Sequence, residues 1–121
     1  MSKYIFILFF FLISMMGFSQ TENIYNRGYD GIDYIAKVNS DNYIVSSFNA
    51  KKEIKAEVAQ KVFDFFKNNN PKDNESITVT VAEAVVTGKL NLVKSTNVTN
   101  LNFYYEKIVW KNGTIDVYQK K

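Results

Sequence analysis

Any chemistry in this chain has to be done without imidazole or thiol. The sequence contains no histidine and no cysteine, which removes Ser-His-Asp and Cys-His nucleophile systems, imidazole acid/base catalysis and nearly all zinc and copper sites. A serine activated by lysine remains, at Ser46, Ser47 or Ser95, but none of these stands in a Gly-x-Ser-x-Gly or similar strained-turn context. Paired carboxylates are the other route, Asp30 with Asp33 or Glu83 with Glu106, because two carboxyl groups at a suitable separation hydrolyse a glycosidic bond. Such pairs usually work in the deep cleft of a larger fold, and a chain this short seldom builds one. Asp30-Gly31-Ile32-Asp33, with Asn26 nearby, offers oxygens to calcium, yet the alternating-oxygen loop and its late bidentate glutamate are missing. These charges read as solvated strand ends, and no cofactor or metal is expected.

The residues left as binding candidates belong to the C-terminal hairpin. Asn112-Gly113 is the preferred pair for a two-residue type I′ turn, and it separates a β-rich run over 101–110 from another over 114–119. A two-residue loop sets Trp110 opposite Ile115, Ile108 opposite Val117, Lys107 opposite Tyr118 and Tyr105 opposite Lys120. One face is then Ile108, Trp110, Ile115 and Val117, wholly apolar. The other alternates ring and ammonium, Tyr105, Lys107, Tyr118 and Lys120, groups of the kind enriched at recognition surfaces. The plainer account is cross-strand contacts worth a fraction of a kcal/mol each, with lysines that also deter edge pairing.

A second singular residue is Glu83. The run 76–87 is rich in β-branched residues, and Ile77, Val79, Val81 and Val85 share one face with Glu83 in phase. An ionised, unpaired glutamate in a core costs several kcal/mol. Either the strand bulges near Ala82-Glu83, turning Glu83 outward and moving Ala84 and Val86 inward, or Glu83 sits at a rim or pocket with a partner. The outward arrangement is the expected one, with a bend near Gly88.

These candidates need a framework, and the one clear helix supplies it. Over 50–67, Ile54, Val58, Val62 and Phe65 recur at steps of four, four and three, with Ala59 and Phe66 alongside, while Lys51, Lys52, Lys55, Lys61 and Asp64 fall off that stripe. Asn49 is the expected N-cap, and Asn70-Pro71 ends the helix. Ahead of it, Ile32, Tyr34, Ala36 and Val38 alternate with Asp33, Ile35 and Lys37, the first set forming the expected apolar face, and a turn at Ser40-Asp41 pairs Val38 with Tyr43, Ala36 with Val45 and Tyr34 with Ser47. Residues 20–30 are polar and aperiodic and read as a flexible lead-in. Leu90 and Leu92 mark a further short strand before 94–100.

The element order is β-β-α-β-β-β-β without internal repeats. Strands joined by short turns around one helix imply an α+β fold, an antiparallel, curved sheet of about five to six strands packed on the helix. In element order alone it resembles cystatin-like and other roll-type domains, and element order implies no function.

Lys3, the apolar block 4–16 and the small residues Gly17 and Ser19 form a secretory leader, with the cut expected between Ser19 and Gln20. The block is too short to span a bilayer as a helix. With 15 Lys+Arg against 12 Asp+Glu the net charge is +3, and no cluster is dense enough for nucleic acid. A single domain over 31–121, held by packing without disulfides, is expected in the periplasm or outside the cell. The expected function is that of a non-enzymatic binding or interaction domain whose partner is a protein or extracellular polymer, with no nucleic acid and no membrane involved. The alternative is a small-ligand carrier or carboxylate enzyme with a pocket around Glu83.

Overall fold

The computed structural model describes residues 21–28, 31–39, 42–44 and 53–120. Asn49, Ser46, Ser47, Asp30, Val45, the turn at 40–41 and the leader with its Ser19/Gln20 junction lie outside them. The elements are β1 (Glu22–Asn26), β2 (Ile32–Asn39), β3 (Asn42–Ile44), α1 (Glu53–Asn69), β4 (Ser76–Val81), β5 (Ala84–Lys94), β6 (Val98–Trp110) and β7 (Ile115–Gln119). The class is the expected α+β, and the helix follows the first hairpin and precedes four strands. Strand β1 is additional, formed where the sequence shows only an aperiodic lead-in.

The sheet is built on β6. One edge of that strand pairs along nearly its whole length with β5, which pairs in turn with β4. The other edge is shared: residues 98–104 pair antiparallel with β2, and residues 107–109 with β7. Beyond β2 lies β3, with Val38 opposite Tyr43 as the turn chemistry implies. Beyond β7 lies β1, running parallel to it. The sheet therefore forks, and at Tyr105 and Glu106 neither β2 nor β7 is paired to that edge.

Alternation places Ile77, Val79 and Val81 of β4, Ala84, Val86, Leu90 and Leu92 of β5, and Leu101 and Phe103 of β6 on one buried face against α1. Two irregularities keep that face continuous. Between Thr87 and Gly88 the β5/β6 register shifts, so Glu106 is the extra residue and the inward set on β6 changes from 101, 103, 105 to 108, 110. A methyl group at Gly88 would lie 2.4 Å from both Phe103 Cζ and the Tyr104 carbonyl oxygen, so glycine is required by close approach. A second shift, between Tyr34 and Ala36, corrects the face expected for β2: Asp33 and Ile35 point inward and Tyr34 is exposed.

The helix stripe is rotated from the expected one. Val58, Ala59, Val62 and Phe63 are buried while Ile54, Phe65 and Phe66 lie at the margin. Lys55, expected in water, is only 9% exposed, since it stands one turn ahead of Val58 and Ala59 on the same side. Asn70 takes a left-handed φ of 45° and donates its N–H to the Phe66 carbonyl, closing the helix before the buried Pro71.

The run 76–87 is two strands. Ala82-Glu83 form a two-residue turn with Val81 opposite Ala84, and the Ala82 N–H donates to the Glu57 carboxylate of α1 at 3.1 Å. Glu83 points outward as expected, but a hairpin does what a bulge was expected to do, and Ala84 and Val86 are inward. Leu90 and Leu92 belong to the same β5 rather than to a separate strand.

Candidate functional site

The C-terminal hairpin turns differently from its sequence signature, and this decides where the candidate residues go. The loop is Lys111-Asn112-Gly113: the Gly113 N–H donates to the Trp110 carbonyl (3.0 Å), Trp110 N–H to the Thr114 carbonyl (2.9 Å), and Gly113 has φ 94°. Asn112 is not among the positive-φ residues, so a type I′ turn is excluded. This is instead a type I turn closed by a left-handed glycine bulge. The extra loop residue slips β7 by one: Ile115 faces Val109, Asp116 faces Ile108 and Val117 faces Lys107.

A one-residue slip exchanges the faces of a strand. The expected set Tyr105, Lys107, Tyr118 and Lys120 is divided by this slip and by the β6 bulge at Glu106. Lys107 and Lys120 are exposed, Tyr118 is half-buried and Tyr105 is 2% exposed. The apolar set divides too, because Ile115 and Val117 leave the face of Ile108 and Trp110, and Asp116 and Tyr118 replace them.

What assembles is an inward-facing polar cluster beneath the fork. The Tyr105 hydroxyl donates to Asp33 Oδ2 at 2.5 Å. Asp33 is 1% exposed and its Oδ1 has no hydrogen-bond partner. Burial pushes the Asp33 pKa up, and the Tyr105 hydrogen bond and the Lys55 charge oppose that rise. The Tyr105 pKa is also raised, first by burial, then by the Asp33 charge and hydrogen bond and by Tyr118, so the phenol keeps its proton.

In front of this pair lies a cavity of about 330 Å³. Ile54 and Lys55 of α1 form one wall, Tyr105, Ile108 and Trp110 of β6 with Asp116 and Tyr118 of β7 form the floor, and Tyr25 of β1 with Gly28 and Gly31 closes the side. Asp116 is fixed by two donors, Trp110 Nε1 at 2.7 Å and Asn23 Nδ2 at 3.0 Å. The Tyr25 and Tyr118 rings stack with centroids 5.4 Å apart, and Tyr118 lies 6.1 Å from Tyr105. The recess thus offers aromatic faces, an ammonium and a pinned carboxylate. Its chemistry is that of holding a molecule, because Asp116 is engaged through both oxygens and Asp33 stands behind Tyr105 rather than in the cavity wall.

Glu83 is exposed at its turn and borders a shallower recess of about 270 Å³ with Ile54, Glu57, Ala82 and Trp110. Glu106 stands at the β6 bulge, away from Glu83, and Ser95 is occupied in the β5–β6 turn, where its N–H donates to the Val98 carbonyl at 2.8 Å. Among the described residues no group of three or more acidic side chains is placed to hold a metal ion. Sequence reasoning considers Asp33 only as a partner of Asp30 or a calcium ligand, reads it as a solvated strand end, and misses Lys55 and Asp116 as site residues. Of these two only Lys55 carries a signal, its helical spacing to Val58 and Ala59. Comparison with protein-family models, curated proteins and solved structures finds no match to this chain.

Proposed function

We propose that this protein is a small exported, non-enzymatic binding domain that holds a small amphipathic molecule in the recess between α1 and the forked sheet. The observation that carries this reading is the recess itself, between α1 and the forked sheet. About 330 Å³ lies open beside Tyr25, Tyr118 and Trp110 with Lys55 and Asp116 in its walls, and ligand sites of this kind start at about 300 Å³. Export rests on the leader over 1–19 and a cut between Ser19 and Gln20, and the roll-type, cystatin-like likeness is one of element order. The reading built on a carboxylate at Glu83 has less support, since that side chain is exposed at a turn tip.

The chain has one tryptophan, so a ¹⁵N-labelled sample gives a single indole N–H resonance, from the group bonded to Asp116. Screening small aromatic carboxylic acids and amines by NMR should find compounds that shift this signal together with the amides of Tyr105, Ile108 and Tyr118. A library that moves none of them, or moves only residues far from the recess, would sink the proposal.

A further inference from the structure

We infer that the opposite, outer face of the sheet carries a second site, a groove for an acidic sugar chain. The groove encloses about 560 Å³ and runs from Asn74 beside β5, across Lys89 and Asn91 of β5 and Tyr104 and Glu106 of β6, to Arg27, Lys120 and Tyr118, the last of which also borders the inner recess. Its register is fixed by the ladder, which sets Lys89 opposite Tyr104 and Asn91 opposite Asn102. Three cations and one carboxylate line it, a surplus of positive charge in a chain whose other acids and bases nearly balance.

Arg27 is the centre of the arrangement. Its guanidinium carbon lies 5.3 Å from the centroid of the Tyr104 ring, a cation–π seat that holds it against the sheet. Its Nε is buried and has no hydrogen-bond partner. A buried donor left unmade is costly, and an oxyanion in the groove would satisfy it. Asn102 Nδ2 donates to Asn91 Oδ1 at 3.2 Å, fixing the Asn91 amide in the wall, and the Tyr104 and Tyr118 rings are the aromatic part of the lining.

The shape and chemistry favour a saccharide. Cations match carboxylates, side-chain amides match hydroxyls, and tyrosine rings in the lining match the C–H face of a pyranose. An acidic peptide would seek backbone pairing, and the groove crosses strands whose backbone groups the ladder already uses. The groove is larger than the inner recess, about 560 Å³ against about 330 Å³, and the inference does not depend on that recess being a ligand site.

Titration calorimetry with an oligogalacturonate, its neutral methyl ester and inorganic sulfate tests it. Arg27→Gln and Lys89→Gln should each weaken oligogalacturonate binding about tenfold, the loss of one charge-assisted contact. Lys67→Gln, on α1, should leave it unchanged, and the methyl ester should not bind. Equal weakening by all three variants would show diffuse attraction, and displacement by sulfate at equal concentration would show a site for an isolated oxyanion. Either result, methyl ester binding as strong as the acid, or no binding at all, overturns the proposal, and Tm of each variant separates lost binding from lost folding.

Discussion

Replacing Asp33 by asparagine is expected to alter the pH dependence of stability more than stability at any single low pH. The carboxyl is 1% exposed, accepts one hydrogen bond from Tyr105 and leaves Oδ1 partnerless. Burial raises its pKa in the folded protein, with the Tyr105 bond and the Lys55 charge only opposing the rise. In the unfolded chain an aspartate titrates near about 3.9. Above that pH the unfolded carboxyl has released its proton while the folded one still holds it, so folding takes up a proton and this group's contribution falls as pH rises. The contribution is fully present below the unfolded value and is lost by the time pH has passed the folded one. Inside that window the slope is about 1.4 kcal/mol per pH unit. An amide does not titrate, and every other carboxylate is common to both proteins and cancels. The stability of Asp33→Asn minus that of the parent should therefore climb at up to about 1.4 kcal/mol per unit above pH ~4 and then level. Tyr105→Phe removes one of the two influences that lower the pKa, so its window should extend to higher pH. Urea unfolding followed by circular dichroism at half-unit intervals gives the curves. A difference flat with pH, or one that moves in favour of the parent, refutes the burial argument for Asp33.

The remaining expectations concern packing and turns. Gly88→Ala should cost about 3 kcal/mol or more by denaturant unfolding, since its methyl carbon would meet Phe103 Cζ and the Tyr104 carbonyl at 2.4 Å; a loss under about 1 kcal/mol would show that β5 and β6 separate easily there. Gly113→Ala should cost about 1–2 kcal/mol, because φ 94° strains an L-residue, and an unchanged midpoint would speak for a different turn. Phe63→Ala should cost about 3–5 kcal/mol and Phe65→Ala clearly less, since only the first ring is fully within the core. The reverse order would restore the stripe read from spacing alone.

The features legible in the sequence were those fixed by local periodicity or by residue type. The helix, its stop at Asn70-Pro71, the pairing of Val38 with Tyr43 and the outward Glu83 follow from spacing and turn chemistry within a dozen residues. What was not legible depended on a single count. Asn112-Gly113 serves a two-residue loop and a three-residue one equally well, and the two differ in whether Asn112 adopts positive φ, which here it does not. That choice turned Tyr118 and Asp116 inward and emptied the expected tyrosine-lysine face. In the same way the bulges opposite Gly88 and beside Tyr34 are demands of the sheet's curvature, and they reversed the phase that alternation gave to Tyr105 and Asp33. Lys55 differs for another reason: its place one turn ahead of Val58 and Ala59 buries it despite its charge.

Strands β1 and β7 lie at opposite ends of the described chain yet run side by side in parallel, from Thr21, whose carbonyl accepts from Ile115, to Arg27, whose N–H donates to the Gln119 carbonyl. Tension applied near residues 21 and 120 would pull these strands along their length in opposite directions, loading the whole ladder in shear instead of opening it one bond at a time. The first and last strands thus form a mechanical clasp, and the core behind β6 would feel no load until the clasp failed. Single-molecule extension from those two positions should show one high-force rupture, whereas extension from residues 76 and 89, which face each other at the open end of the β4–β5 hairpin, should unzip at lower force. That geometry makes resistance to pulling a property of the topology, separate from resistance to heat or urea.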